Sequence, residues 1–276
     1  MGICKFCGEP VGFLRRNHKE CTSKNSEGKD AITKLVRRLG SVSEDLSLVE
    51  EEISTISRGA YIDPETLKMA VINGWEAAVG DAFDDGILEE DEEDRLETIR
   101  KHFSLTQADL DTNNSFTRVV KGAVLREVLN GNIPERLNIE GQLPFNLQKT
   151  EKVIWIFQDV DYYEQKNRRQ YVGGSQGMSI RIAKGVYYRA GAFKGRSVET
   201  TETVHIDSGL LGVTNKHIYF SGPSKSFRIR HDKVVAFDPY EDGFGLQRDA
   251  QSAKPQTFVT GDGWFAYNLV ANAAQL

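Results

Sequence analysis

Gly212-Val-Thr-Asn-Lys-His-Ile-Tyr-Phe220, with Lys225-Ser-Phe-Arg-Ile-Arg230 close behind it, makes the second half of this chain a β-structure. Thr-Asn-Lys reads as a turn and Ile-Tyr-Phe as the apolar strand that leaves it. In the second piece Phe227 and Ile229 fall on one face and Arg228 and Arg230 on the other, the period of two expected of a half-buried strand. The same alternation begins at Val153, after the pattern changes near Pro134, and places Met178, Ile180 and Ile182 on one face. Gly173-Gly174, Lys184-Gly185, Ser221-Gly222, Asp242-Gly243 and Gly261-Asp262-Gly263 punctuate it at short intervals. Such spacing predicts an antiparallel sheet wound into a sandwich or small barrel over residues 148–276, ended by a helix from Trp264 to Ala274.

Upstream the period is that of helices. Ser41 with Glu44 reads as a capping box ahead of the stripe Leu46, Val49, Ile53 and Ile56. Asp63 as N-cap and Pro64 at the first helical position open a second helix, through Leu67, Val71 and Trp75 to Phe83, and Asp85-Gly86 turns the chain. A third helix, near Glu89 to Phe103, starts acidic, where the helix dipole favours negative charge. A fourth, from about Ser115 to Asn130, carries Phe116, Val120, Ala123 and Val128. Together they predict a bundle over residues 28–132, with the polar, turn-rich residues 22–30 as a linker ahead of it.

All three cysteines lie in the first 21 residues, and Cys4, Cys7, His18 and Cys21 spell C-x2-C-x10-H-x2-C. Four N or S donors make a closed tetrahedral shell, so the expected cofactor is a structural Zn2+ held by residues 1–24 from two short turns. Gly8 lets the backbone turn around the metal with positive φ. The acidic run from Asp81 to Glu92 partly matches a calcium loop, with Asp81, Asp85, Gly86, Glu89 and Glu92 in register, but Phe83 stands where a ligand is needed. That run reads as a helix–turn–helix corner.

The chain has 276 residues and a net charge of −5 that conceals three signs. Residues 1–40 carry nine Lys/Arg against four Asp/Glu, residues 41–112 five against twenty, and residues 113–276 twenty-one against sixteen. This polarity argues for separate modules in an α+β multidomain protein. No stretch approaches the roughly 18 apolar residues of a membrane span, there is no signal pattern, and Phe6 stands where a myristoylation signal needs Ser or Thr. A cytoplasmic protein is expected, peripheral to the inner face of the membrane if its ligand is a lipid.

Residues 150–276 resemble the bacterial pleckstrin-homology and GRAM superfamily, through Gly212 to Phe220, Lys225 to Ile229, Lys233-Val-Val-Ala-Phe237 and the closing Gly263-Trp-Phe-Ala-Tyr-Asn-Leu269. The resemblance implies a bent seven-stranded sheet capped by a helix, and a ligand that is a protein, an anionic lipid or a nucleotide. Ala82-Phe-Asp-Asp-Gly-Ile-Leu-Glu-Glu90 and the helix after it resemble the TerB-like domains, which implies a setting in bacterial stress response or phage defence. Residues 3–21 are similar to zinc ribbons and treble-clef-like fingers.

Between Lys166 and Lys233 the β-region holds thirteen Lys/Arg and four acids. Arg181, Lys184, Arg189, Lys225, Arg228 and Arg230 are the candidate ligand-binding residues, on a face that is either an anion-binding surface or simply solvated. Arg15, Arg16 and Lys19, between the metal-ligand pairs, support the alternative of nucleic-acid binding. Walker, dinucleotide and G-x-S-x-G motifs are absent, and His205, Asp207, His217, His231 and Asp232 fall where polar surface positions are expected. The reading is a non-enzymatic interaction or regulatory protein, with a protein partner foremost; a second alternative is an unrecognised hydrolase, which a clustered His/Asp pocket would favour.

Overall fold

Residues 22–30 are helix, not linker. In the computed structural model of the chain, α1 runs unbroken over Lys19–Leu39, burying Cys21, Asn25, Gly28, Ile32, Leu35, Val36 and Leu39 along one stripe. Asn25 and Gly28 occupy two slots of that stripe, which hides its period in an apolar count. The Asn25 amide donates to the carbonyls of Ala60 (3.0 Å) and Tyr61 (3.2 Å), and Gly28 lies against the side chains of Ala60 and Ile62. The structure describes residues 2–12, 15–172, 175–183, 186–193, 196–250 and 253–276, with side chains outside 167–201. Two units divide the chain, Met1–Asn130 and Gly131–Leu276.

In the first unit the strands β1 (Gly2–Ile3) and β2 (Pro10–Val11) pair antiparallel ahead of α1. Then follow α2 (Leu46–Gly59), α3 (Pro64–Ala82), α4 (Glu90–His102), α5 (Gln107–Leu110) and α6 (Ser115–Leu129). The start of α2 corrects the expected Ser41 box: Asp45, adjacent to the apolar stripe, accepts from the Ser47 N–H (2.9 Å), while Glu44 bonds Arg38 (2.7 Å). Asp63 caps α3 as expected, accepting from the Thr66 N–H at 2.9 Å. At α4 the Glu92 carboxylate accepts from the Glu89 N–H (3.0 Å), so the acidic run serves as a cap. Ile32, Val36, Trp75, Val79, Leu96, Ile99, Leu110 and Ala123 form one fully buried core, in which the Trp75 indole N–H donates to the Leu96 carbonyl (2.9 Å).

Small residues set the distance between α1 and α3. A Cβ on Gly74 would stand 2.6 Å from Val36 Cβ and 2.7 Å from the Thr33 carbonyl, so the two helices would have to separate. Gly74→Ala is expected to destabilise the unit by roughly 1–3 kcal/mol through overpacking, despite its gain in helix propensity. Gly80→Ala, where a Cβ meets nothing within 4 Å, should stabilise by up to about 1 kcal/mol. Urea midpoints of the two variants read the opposite signs.

The second unit holds β3 (Val153–Val172), β4 (Ser175–Ala183), β5 (Val186–Phe193), β6 (Arg196–Thr214), β7 (His217–Ser221), β8 (Ser226–Arg230), β9 (Val234–Pro239), β10 (Gly243–Arg248), β11 (Gln256–Val259) and α7 (Gly263–Ala273). Seven of the strands make one antiparallel sheet in the order β8-β7-β6-β3-β11-β10-β9, and among the described residues β4 pairs only with β5. The sheet is open among the described residues, with β8 and β9 as its edges, so the expected sandwich or barrel is corrected to a single unclosed sheet with long β3 and β6 arms. Tyr162, Phe220, Phe227, Phe244 and Phe258 stack over one another in its core, and Phe265 of α7 meets Trp155 edge to face at 5.0 Å. Phe227 and Ile229 turn inward and Arg228 and Arg230 outward, as the alternation predicts. The Met178, Ile180 and Ile182 face lies outside the described side chains. Among the described residues no helix is long and apolar enough to cross a membrane.

Candidate functional site

The β1–β2 hairpin and the first turn of α1 bring Cys4, Cys7, His18 and Cys21 together. Gly8, at φ +77°, donates its N–H to the Cys4 carbonyl (3.0 Å), and the Cys4 N–H donates to the Glu9 carbonyl (2.9 Å). The first ligand pair is thereby fixed in a tight turn. The second pair comes from a helix rather than from a second short turn: His18 is the N-cap of α1 and Cys21 lies three residues on, on the same side of the first turn. All four ligand atoms lie within 4.8 Å of one another.

These donors fit a metal ion of the size and softness of zinc. Tetrahedral bonds of about 2.0–2.3 Å put neighbouring donors about 3.5–3.8 Å apart. His18 Nδ1 stands 3.3 Å from Cys7 Sγ and 3.8 Å from Cys21 Sγ. The other ring nitrogen, Nε2, donates to the Pro10 carbonyl (3.1 Å), which leaves the Nδ1 lone pair facing the sulfurs. The thiols are pushed in opposite directions. Burial would raise Cys4, but backbone N–H groups of Cys7, His18 and Phe6 outweigh it and hold the thiol at about 6. Burial and the neighbouring sulfurs of Cys7 and Cys4 push Cys21 up to about 11. Three sulfurs this close cannot all be thiolates without a cation among them, and the four donors would fill the shell of a four-coordinate ion such as zinc.

The other predicted residues are placed as follows. Arg15, Arg16 and Lys19 are exposed beside the cluster. Asp81 accepts both arms of Arg37 (2.6 Å each), Asp85 accepts from the Ile87 N–H (3.0 Å), and Glu92 is occupied by its cap, so these three carboxylates are engaged by the protein. Lys225 reaches Glu164 (3.4 Å), Arg230 reaches Asp232 (2.6 Å), and Arg228 is exposed on the same strand. Arg181 and Arg189 have side chains outside the described residues, and Lys184 lies outside them altogether. His205 bonds Asp161 (3.1 Å) and not Asp207, whose carboxylate accepts the N–H groups of Ser224 and Lys225 (2.7 Å each) and holds the β7–β8 turn.

His217 and His231 are not surface positions. They are 3% and 8% exposed, and they line a polar cleft of about 470 Å³ together with Asn215, Lys216, Arg230 and Asp232. Behind it the Glu151 carboxylate accepts from the Thr214 hydroxyl (2.5 Å), His217 Nδ1 (2.9 Å), the Tyr219 hydroxyl (2.9 Å) and the Gln148 N–H (2.9 Å). Burial would raise the Glu151 carboxyl, yet these donors hold it below the usual carboxylate range. One signal could have found the cluster: His217 and Tyr219 alternate on one strand face, so a buried tyrosine takes the histidine in with it.

Comparison with known protein families, curated proteins and solved structures found no match to the chain. What the two sites can do rests on their own residues.

Proposed function

We propose that the chain is a non-enzymatic recognition protein: a structural Zn2+ held by Cys4, Cys7, His18 and Cys21 shapes the start of the first unit, and the second unit is a pleckstrin-homology-like domain that binds a protein or an anionic ligand. Seven antiparallel strands followed by a packed C-terminal helix support the likeness in the second unit. The observation that carries the recognition role is β8. It is an edge of the sheet, its Ile229 is buried, and Arg228 and Arg230 project from its other face with Lys225 just ahead of it. Charged residues on an edge discourage self-pairing and leave a cationic strip for an acidic partner.

Sedimentation of the full chain with anionic vesicles at two salt concentrations tests the lipid form of this reading. Binding should weaken with salt, and Arg228→Glu with Arg230→Glu should weaken it about tenfold or more, since each basic residue near such a surface contributes about 1 kcal/mol. Failure to bind at low salt would leave only a protein or nucleotide partner, recovered by pull-down. The exposure of Arg15, Arg16 and Lys19 favours nucleic acid as the competing partner, and a gel shift at the same two salt concentrations separates it.

A further inference from the structure

The register of the sheet explains why the cleft has its particular chemistry. β7 and β8 pair so that His217 stands opposite Arg230 and Tyr219 opposite Arg228, which puts an imidazole, a phenol and two guanidinium groups on one side of the sheet. The turn after β6 adds Asn215 and Lys216, and the 3-10 turn after β8 adds His231 and Asp232. Each ring has a defined spare atom. His217 commits Nδ1 to Glu151, and its Nε2 has no partner among the described residues. His231 donates through Nε2 to the Thr214 carbonyl (2.8 Å), which makes Nδ1 an acceptor, and that atom is buried without a partner.

Buried acceptors without donors are rare, and they mark places where a water or a ligand hydroxyl completes the pairing. Burial lowers His231 from its usual value near 6.5, so the ring is neutral at physiological pH and keeps that acceptor. The cleft therefore offers two kinds of contact: ammonium and guanidinium donors from Lys216 and Arg230 for anionic oxygens, and an imidazole acceptor for a hydroxyl. Its volume falls in the range of small-ligand sites.

We infer that this cleft binds a phosphate monoester carrying free hydroxyl groups, with Lys216 and Arg230 on the phosphoryl oxygens and His231 Nδ1 accepting from a hydroxyl. The inference rests on the anion-recognition role proposed for the second unit and names the ligand class within it. Phosphate recruits Arg230 away from Asp232, because a dianion with several acceptor oxygens is the stronger partner for a planar guanidinium. A free sugar phosphate and the phosphorylated headgroup of a lipid share this chemistry.

Nitrogen-edited NMR of the imidazoles in the full chain reads the site directly. Inorganic phosphate and ribose 5-phosphate, added separately at constant pH and ionic strength, should shift the His217 and His231 resonances saturably, with ribose 5-phosphate tighter because it also supplies hydroxyls. Lys216→Gln with Arg230→Gln, at a half-buried and an exposed position, should weaken binding about tenfold or more while leaving the free imidazole spectra in place. Vesicles containing phosphatidylinositol 4-phosphate form the last arm: competition with ribose 5-phosphate for the histidines assigns the lipid source, and its absence assigns a soluble one. Unmoved imidazole signals at millimolar phosphate and ribose 5-phosphate, or equal affinity in the double variant, would overturn the inference. Salt-sensitive vesicle binding that persists with silent histidines would retain the β8 surface and remove the cleft alone.

Discussion

Cys7→Ala is expected to abolish stoichiometric zinc binding and to melt the β1–β2 hairpin with the first turns of α1. Structural zinc contributes on the order of 10 kcal/mol to the folding of small zinc peptides, which is comparable to the whole stability of an ordinary domain. Here that energy has a defined place to act. His18 stands at the N-cap of α1 with no side-chain bond to the first N–H groups of the helix, and Cys21 is the first buried residue of the helix, so the metal would stand in for the missing cap and tie the hairpin down. From Ile32 onward α1 is held by the core instead, against α2, α3 and α4. The expected loss is therefore local, running from residue 2 to about Asn25, where the bonds to Ala60 and Tyr61 begin. Hydrogen exchange should show lost protection across Lys19 to Lys24 with Val71 to Val79 unchanged. Retention of one zinc per chain by the variant would remove the assignment.

Glu151→Ala should cost about 3–5 kcal/mol in the second unit, the range found when one partner of a buried charged network is removed. Its side chain is fully buried, and four donors converge on it. Without the carboxylate, the Thr214 hydroxyl keeps the His217 carbonyl, at 3.0 Å, but His217 Nδ1 and the Gln148 N–H lose their acceptor. The β6–β7 turn and the segment before β3 should loosen together. Urea unfolding gives the magnitude, and exchange rates at Leu210 to Ser221 give the place; an unchanged midpoint would show that water replaces the carboxylate without cost.

Where chemistry is local, the sequence carries it plainly. Asp63-Pro64 starts a helix, Gly8 takes positive φ, and Phe227 to Arg230 alternate as written, because each depends on neighbours within a turn or a strand. The four metal ligands belong to the same class, since residue type and spacing bring them together. The N-terminal half of α1 was not legible, because its buried face uses Asn25 and Gly28, whose roles exist only against Ala60 and Tyr61 on another element. Ser41 was a sound cap by type, and Asp45 displaced it by standing next to the stripe. The cleft is the deepest case. Glu151 and His217 are 66 positions apart in the chain, so no window of sequence contains both partners. An open rather than closed sheet is likewise decided by long-range pairing, with β11 returning beside β3.

A four-donor centre with no open position would hold the start of the first unit in shape. Zinc K-edge X-ray absorption of the purified full chain tests that most directly. One zinc per chain with three sulfur neighbours at about 2.3 Å and one nitrogen at about 2.0 Å is the predicted result. A chain purified without zinc that does not take it up, or a first shell containing an exchangeable oxygen in place of a sulfur or the imidazole, would contradict it.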